Sequence, residues 1–400
     1  MDYFLTNREN FGRNGLKICR KQLNPRQVAK AGHPVYKEPN MTSKGQFHAV
    51  ILWIAVGVLL LVQAGQASAV KITAPPLNRL PQERLCTGSF LPVSLPLTDL
   101  GNHEYIRMDG NSTGFTGGLY PNGENQPPAA HWLAGRLIAQ QIVPLDSNGS
   151  PDFRNGKIGM ISVGMSNTAM EFSTFRSLVM TDSRLNPHLV LVNGAQAGQT
   201  AEYWLSLDSP TWEVVNQRLE SAGLSPQQVQ VVWLKLTRTG GGNFPQKAQT
   251  LQADLTTIVQ NLKVKYPQVK MVFLSSRTRS YTYWNGLSPE PAAFESGFAV
   301  KWLIEEQISG TPDLNYDPQR GAVRAPYLMW AAYLWADGIN PREDGFIWLP
   351  EDLVSDCTHP SDAGRLKVAR LLLQFFTSDP AATPWFLTSY PLFLPLVTHP

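Results

Sequence analysis

Four short apolar runs recur through the middle of the chain, at 157–163, 188–193, 229–236 and 269–275. Each consists mostly of Val, Ile, Leu, Met, Phe or Trp and is bounded by polar or turn-forming residues. Nearly continuous apolar runs of this length are typical of strands that are buried on both faces of a parallel sheet. The pattern therefore predicts four strands of one covered sheet.

Longer stretches with apolar residues at helical spacing separate and flank these runs. The predicted helices cover 129–142, 168–180, 211–222, 245–266, 291–308 and 361–376. Strands that alternate with helices of ten or more residues are joined by right-handed crossovers. The alternation predicts an α/β fold, a three-layer α/β/α sandwich around a mostly parallel, flavodoxin-like central sheet.

The rest of the chain is expected to be arranged around this sandwich. The predicted segments are an N-terminal extension (1–40), a signal peptide or membrane anchor (41–69), an irregular segment packed on the core (70–150), the sandwich domain (151–378) and a C-terminal tail (379–400). The prolines beyond 380 predict a tail that wraps the surface. The aromatic stretch 326–335 fits either a substrate groove or the packing of a core or lid, and core or lid packing is favoured.

The N-terminal region has the pattern of an export signal. An apolar run at 49–62 is followed by Ala67-Ser68-Ala69, a small-x-small site that favours cleavage after Ala69. A bilayer-spanning helix needs about 20 apolar residues, so a retained anchor is the alternative interpretation. We expect a secreted or periplasmic protein, in contact with a membrane only if the segment is retained. A start at Met1 and a start at Met41 both stay open.

Composition and charge exclude several classes of function. A chain of 400 residues, 43% hydrophobic and 16% charged, can bury a large core. Its net charge of +3, with no basic stripe beyond the first forty residues, argues against nucleic-acid binding. The seven histidines are scattered and no Gly-x-x-x-x-Gly-Lys-Ser/Thr pattern occurs, so neither a metal site nor a nucleotide cofactor is predicted.

Residues with candidate chemistry follow the predicted strands, where ligands of open parallel sheets bind. The first strand ends in a tight turn at Ser166, whose hydroxyl would be exposed at a helix N-terminus, although the residue could be an ordinary helix cap. A glycine-rich turn at 193–200 follows the second strand. Asp356 and His359 precede the last helix. Asp356 could orient the imidazole of His359, and that imidazole could accept a serine proton. Alternatively, the two residues simply cap that helix.

Two of the three cysteines, Cys86 and Cys357, would remain after signal cleavage. Export to an oxidising compartment would permit a disulfide between them. Because two cysteines fix no geometry by themselves, two free thiols are the alternative.

Taken in order, these blocks resemble the SGNH/GDSL-type hydrolases over 157–376. The closing block, 356–364, is the most specific, with Cys357 standing where glycine is usual. The resemblance implies a hydrolase triad of nucleophile, general base and orienting acid, namely Ser166, His359 and Asp356.

The same resemblance implies an oxyanion hole formed by the backbone N–H groups of the nucleophile and of Gly198. Two blocks depart from the family pattern. The first reads Gly-Met-Ser at 164–166, without the usual aspartate, and no asparagine aligns in the third block, which normally supplies an oxyanion donor. Asn243, a few residues later, is one substitute, and a cation from Lys235 or Arg238 is another.

The expected function is that of a secreted serine esterase, which removes an acyl group from a carbohydrate or another extracellular ester without a cofactor. A non-catalytic glycan-binding or structural descendant of the fold is the alternative if the missing asparagine has no substitute. An acyltransferase that uses the same triad is a third interpretation. The acyl group, the substrate and the oligomeric state are not specified by the sequence.

Overall fold

The computed structural model describes Cys86 and residues 90–240 and 242–388. The predicted N-terminal extension (1–40) and the predicted signal or anchor segment (41–69) lie outside the described residues. Within the described part of the chain, none of the helices combines the length and the apolar character needed to cross a bilayer.

The described residues form short strands and helices that alternate along the chain. The strands are β1 Glu104–Ile106, β2 Ser112–Thr116, β3 Ile158–Gly164, β4 Leu189–Val192, β5 Val229–Lys235, β6 Met271–Leu274 and β7 Tyr327–Trp330. The helices are α1 Leu97–Leu100, α2 Ala129–Ala139, α3 Ser166–Val179, α4 Pro210–Ser221, α5 Gln246–Lys265, α6 Ala292–Ser309, α7 Asp362–Ser378 and α8 Thr383–Phe386.

Strands β3 to β7 form one parallel sheet in the order β4-β3-β5-β6-β7. This is the strand order of flavodoxin-like doubly wound sheets, so the predicted fold class is confirmed. The four apolar runs match β3 to β6 to within two residues. The fifth strand, β7, is not among the predicted strands: the aromatic stretch 326–335 begins as an edge strand paired with β6, and Trp330 and Trp335 are buried in the core.

Alternate residues of the central strands supply two separate cores, one on each face of the sheet. On β5, Val231 and Trp233 pack with residues of α2, α3, α7 and α8, whereas Val232 and Leu234 pack with residues of α4, α5 and α6. Burial on both faces explains why these strands have no polar alternation in the sequence. The result is the predicted three-layer arrangement.

The irregular segment before the sandwich packs against α6 and β7 in its described part. Tyr105 is fully buried and donates its hydroxyl hydrogen to Glu295 Oε1 at 3.1 Å. The indole N–H of Trp330 donates to the carbonyl of Leu119 at 2.7 Å, and Lys301 Nζ donates to the carbonyl of Tyr120 at 3.0 Å. These contacts fix the segment against α6 and β7.

The prediction that the chain wraps the surface beyond 380 is wrong for the described residues. Trp385 and Phe386 of α8 are buried, and they pack against Phe376 of α7. Pro384 occupies the first turn of α8, where a proline removes no helical hydrogen bond. The proline therefore marks a helix start and not a surface tail.

Candidate active site

Ser166 is the first helical residue of α3, directly after the turn that ends β3. A Cβ on Gly164 would come within 2.4 Å of Thr168 Oγ1, so the turn is tight enough to require glycine. The N-cap position of α3 falls to Met165, which leaves the Ser166 hydroxyl out of the capping role that its residue type would allow. Thr168 Oγ1 donates to the carbonyl of Lys235 at 2.8 Å and fixes the start of α3 on β5.

His359 and Asp356 lie beside this serine although they are 193 and 190 positions later in the chain. Ser166 Oγ is 2.7 Å from His359 Nε2, and His359 Nδ1 is 2.5 Å from Asp356 Oδ2. Because a carboxylate only accepts, Nδ1 is the protonated nitrogen and Nε2 is free to accept from the serine. The structure thus brings together the three residues that the resemblance implied.

Asp356 holds the backbone of its own turn as well as the imidazole. Its Oδ1 accepts from the backbone N–H groups of Thr358 and His359, at 3.0 and 2.9 Å. Burial opposes ionisation of Asp356, but the hydrogen bonds from the His359 backbone and imidazole outweigh it and lower the carboxyl pKa. Asp356 is therefore a carboxylate at neutral pH, able to orient the neutral imidazole and to stabilise the imidazolium.

The loop that carries His359 is fastened to α3 by a buried side chain. Asn167 Nδ2 donates to the carbonyl of Thr358 at 2.9 Å, and the Asn167 side chain is fully buried. On the other side of the loop, Tyr281 N donates to the carbonyl of Cys357 at 2.9 Å. No sequence signal marks Asn167, because an asparagine after a candidate nucleophile also fits an ordinary helix start.

Cys357 adopts the left-handed backbone conformation, with φ of 59°. This conformation costs a non-glycine residue about 1–2 kcal/mol, which accounts for the glycine usual at this place in the family that the block resembles. Cys357 is joined to Cys86 by a disulfide, with 5.3 Å between the two Cα atoms. The disulfide thus ends one residue from Asp356 and two residues from His359.

The motifs that carry the resemblance occur at the expected points in the order of strands and helices. Ser166 follows the first strand of the parallel sheet, and the glycine-rich turn follows the second. The Asp356–His359 turn precedes α7, the last long helix. The chain has the flavodoxin-like α/β/α fold that the resemblance implies.

Neither a protein-family model nor a curated protein matches the chain. Several solved structures do. A carbohydrate esterase family 3 protein from Talaromyces cellulolyticus has 14% identity and a TM-score of 0.29 over 54% of this chain and 94% of that chain. A candidate acylhydrolase from Bacteroides fragilis has 12% identity and a TM-score of 0.34 over 62% and 96%. The periplasmic domain of a lipopolysaccharide acetyltransferase from Salmonella Paratyphi A has 14% identity and a TM-score of 0.28 over 62% of this chain and 94% of that chain.

At these identities the similarity is one of fold, and the chemistry of the site depends on the geometry of this chain alone. Among the described residues, no group of three or more His, Cys, Asp or Glu side chains is placed to hold a metal ion.

Gly198 lies in the turn after β4, close to the nucleophile turn. Gln196 N donates to the carbonyl of Gly164 at 3.0 Å, which joins the two turns. Gly198 has φ of 74°, a conformation that glycine adopts without strain, and its position is exposed. The Ser166 amide lies at the N-terminus of α3, where N–H groups have no helical acceptor and the helix dipole favours negative charge. Both amides remain candidates for an oxyanion hole.

Among the described residues, none of the three predicted substitutes for the missing asparagine makes a side-chain hydrogen bond to Ser166. Lys235 is fully buried and its Nζ binds both carboxylate oxygens of Glu171, so it is not a free cationic donor and that suggestion is wrong. Arg238 is paired with Asp254. The backbone carbonyl of Asn243 accepts from the N–H of Lys247 in the first turn of α5. Asn243 also lines the cavity described in the next paragraph.

A cavity of about 510 Å³ opens at this same edge of the sheet. It lies between the segment after β5 and the loop before α6, and Thr237 is part of its wall. Gly164 is paired in register with Lys235, so Ser166 and Thr237 each lie two residues beyond that pair. The cavity therefore lies at the carboxyl edge of the sheet, the edge where doubly wound folds bind their ligands, and its wall is formed by the segments that follow β5 and β6.

Proposed function

We propose that the protein is a serine ester hydrolase in which Ser166 is the nucleophile, His359 the general base and Asp356 the group that orients it. The observation that carries the proposal is the continuous hydrogen-bonded chain from Ser166 Oγ through His359 to Asp356. A nucleophile within 2.6–3.2 Å of a base that is itself oriented by a third group is the usual signature of nucleophilic catalysis.

The chemistry follows from the direction of these hydrogen bonds. Ser166 Oγ attacks the ester carbonyl carbon while His359 Nε2 takes the hydroxyl proton, and the carbonyl oxygen becomes an oxyanion. The N–H groups of Ser166 and Gly198 are the proposed donors to that oxyanion. His359 then gives the proton to the departing alcohol. Water, activated by the same imidazole, releases the acid from the acyl-enzyme and restores the serine.

We further propose that the substrate is an ester outside the cytoplasm, most simply an acylated carbohydrate. The disulfide between Cys86 and Cys357 supports an extracytoplasmic location, because structural disulfides persist in oxidising compartments. The cavity of about 510 Å³ at the same edge of the sheet falls within the volume range of small-molecule sites.

A fluorescent serine-reactive phosphonate is expected to label the protein at Ser166. An activated serine forms a covalent adduct, whereas a helix-surface serine without a base does not. Peptide mass mapping locates the adduct, and heat-denatured protein serves as the control. No labelling of the folded protein would instead indicate the non-catalytic descendant of the fold.

Loss of the disulfide is expected to lower both stability and ester turnover. The bond closes a separation of 271 residues, and removal of a native disulfide typically costs about 2–5 kcal/mol. Activity should fall because the free Cys357 retains its unfavourable backbone conformation with no bond to hold it between Asp356 and His359. The measurements are Tm and kcat/KM of Cys86→Ser, together with the wild type in reductant.

Cys357→Gly is the matched variant, since it also removes the disulfide but suits φ of 59°. We expect it to lose stability while keeping more activity than Cys86→Ser. A Tm of the wild-type protein that does not respond to reductant would contradict the structural role of the bond.

A further inference from the structure

In the wall of the cavity at the carboxyl edge of the sheet, cationic side chains outnumber carboxyl groups. Three cations, Arg107, Arg238 and Lys247, contribute to its wall together with two carboxyl groups, Glu290 and Glu295. The partners of each group decide which charges remain available to a ligand.

Both carboxyl groups are occupied within the fold. Glu290 is fully buried; its Oε1 accepts from Ser280 N and from the Trp335 indole, and its Oε2 accepts from Phe294 N. Glu295 Oε1 accepts from the hydroxyl of Tyr105, and burial raises the pKa of Glu295 to about 7. Glu295 is therefore largely neutral in mildly acidic solution and repels an anion little there.

One of the three cations stands apart from the others. Arg107 Nη2 is 3.3 Å from Asp109, its Nη1 donates to the carbonyl of Phe244 at 3.5 Å, and its Nε is buried out of reach of a ligand. Lys247 is half-buried, and none of the ion pairs among the described residues involves it. Burial lowers the pKa of Lys247, while the negative charges of Glu295 and Glu202 oppose that shift. Arg238, in contrast, is paired with Asp254.

Lys247 lies at the end of a helix where a positive charge is unfavourable. It lies in the first turn of α5, a helix of 20 residues with no acidic residue in that turn and no side-chain cap. A cation at a helix N-terminus is unfavourable, because the dipole there is positive and its N–H groups lack acceptors. The neighbouring α6 is different: Glu290 accepts from its first turn and Glu295 lies within it. A local violation of this kind is expected at functional sites.

An exposed aromatic ring stands at the rim of the same cavity. Trp284 is 61% exposed and has φ of 63°, a left-handed conformation that costs a bulky residue about 1–3 kcal/mol. A flat apolar face with a polar edge is suited to stacking on a sugar ring. A lysine outside the ion pairs of the described residues and an exposed indole thus line the same cavity.

We propose that this cavity binds an anionic sugar of the substrate, whose carboxylate or sulfate is held by Lys247 and the amino end of α5 while Trp284 stacks on the ring. The proposal rests on the proposed function in one respect, that the bound sugar belongs to the ester substrate. It specifies the class: an acylated acidic polysaccharide and not a neutral one.

Calorimetric titration with trisaccharides that carry no ester tests the cavity separately from catalysis. The ligands are trigalacturonate, a sulfated galactotriose and neutral galactotriose, at low salt. The wild-type protein is expected to bind at least one charged ligand about tenfold or more tightly than the neutral one. Comparison of the two charged ligands distinguishes carboxylate from sulfate, and added salt should reduce the preference.

The variants assign the preference to residues. Lys247→Met should abolish the preference for charged ligands, and Lys247→Arg should retain it. Trp284→Ala should weaken the binding of all three trisaccharides alike. Lys265→Met removes the same charge from the other end of α5, roughly 27 Å away along the helix, and should leave the preference intact. Equal binding of charged and neutral trisaccharides by the wild type, or a preference that survives in Lys247→Met, would overturn the proposal. Phosphonate labelling without an anion preference refutes only this inference, and an anion preference without labelling refutes only the esterase.

Discussion

Replacement of Ser166 by alanine is expected to lower kcat for a small aryl acetate by about 10⁶-fold, which is the effect of nucleophile removal in a triad that acts as a unit. The structural reason is direct: Ser166 Oγ is the atom hydrogen-bonded to His359 Nε2, at 2.7 Å. Without that oxygen, the imidazole has only water to activate and no acyl-enzyme forms. KM should change little, because the hydroxyl contributes one contact to substrate binding.

The loss must be separated from a loss of fold. Ser166 is half-buried and makes one side-chain hydrogen bond, so Tm should change little. Ser177→Ala provides a matched control on the same helix, since Ser177 is exposed and its hydroxyl donates only to the carbonyl of Ser173. Retention of more than a tenth of wild-type turnover in Ser166→Ala would remove this serine from the mechanism.

Four strands of the parallel sheet can be predicted because the burial of each one is visible in its own short sequence. Strands β3 to β6 are covered on both faces, so each is a continuous apolar run that differs visibly from the amphipathic helices around it. Strand β7 escapes prediction for the same physical reason: its Tyr-Leu-Met-Trp sequence continues into further buried aromatic residues, and periodicity cannot separate a short buried strand from other core packing. The burial of Trp385 escapes prediction because it depends on Phe376, a partner that no local pattern identifies.

The residues of the candidate site likewise fall into those that a local motif identifies and those that it does not. Ser166, Asp356 and His359 are identifiable from short motifs with a known order along the chain. Residues that act through tertiary contacts carry no such signal. Asn167 matters because it binds the carbonyl of Thr358, and the suggestion for Lys235 is wrong because its partner, Glu171, lies one helical turn beyond the nucleophile turn. A buried lysine cannot be distinguished from a free one until the carboxylate beside it is known.

Asp356→Asn is expected to lower kcat by about 10⁴-fold while leaving the fold intact, as in other triads where the orienting acid has been replaced by its amide. Here the structure supplies the reason. Asp356 Oδ1 accepts from two backbone N–H groups, those of Thr358 and His359. An asparagine keeps its oxygen at that position, because only the oxygen accepts, and so turns its NH₂ group toward His359 Nδ1.

An NH₂ group facing Nδ1 forces that nitrogen to accept and places the imidazole proton on Nε2. A protonated Nε2 cannot take the proton of Ser166, so the base is blocked although every side chain stays in place. The measurements are kcat for the aryl acetate and Tm. Asp362→Asn is the control, since it removes the same charge from a residue that is 97% exposed and pairs only with Arg365 among the described residues. Turnover within tenfold of the wild type in Asp356→Asn would mean that another group orients His359.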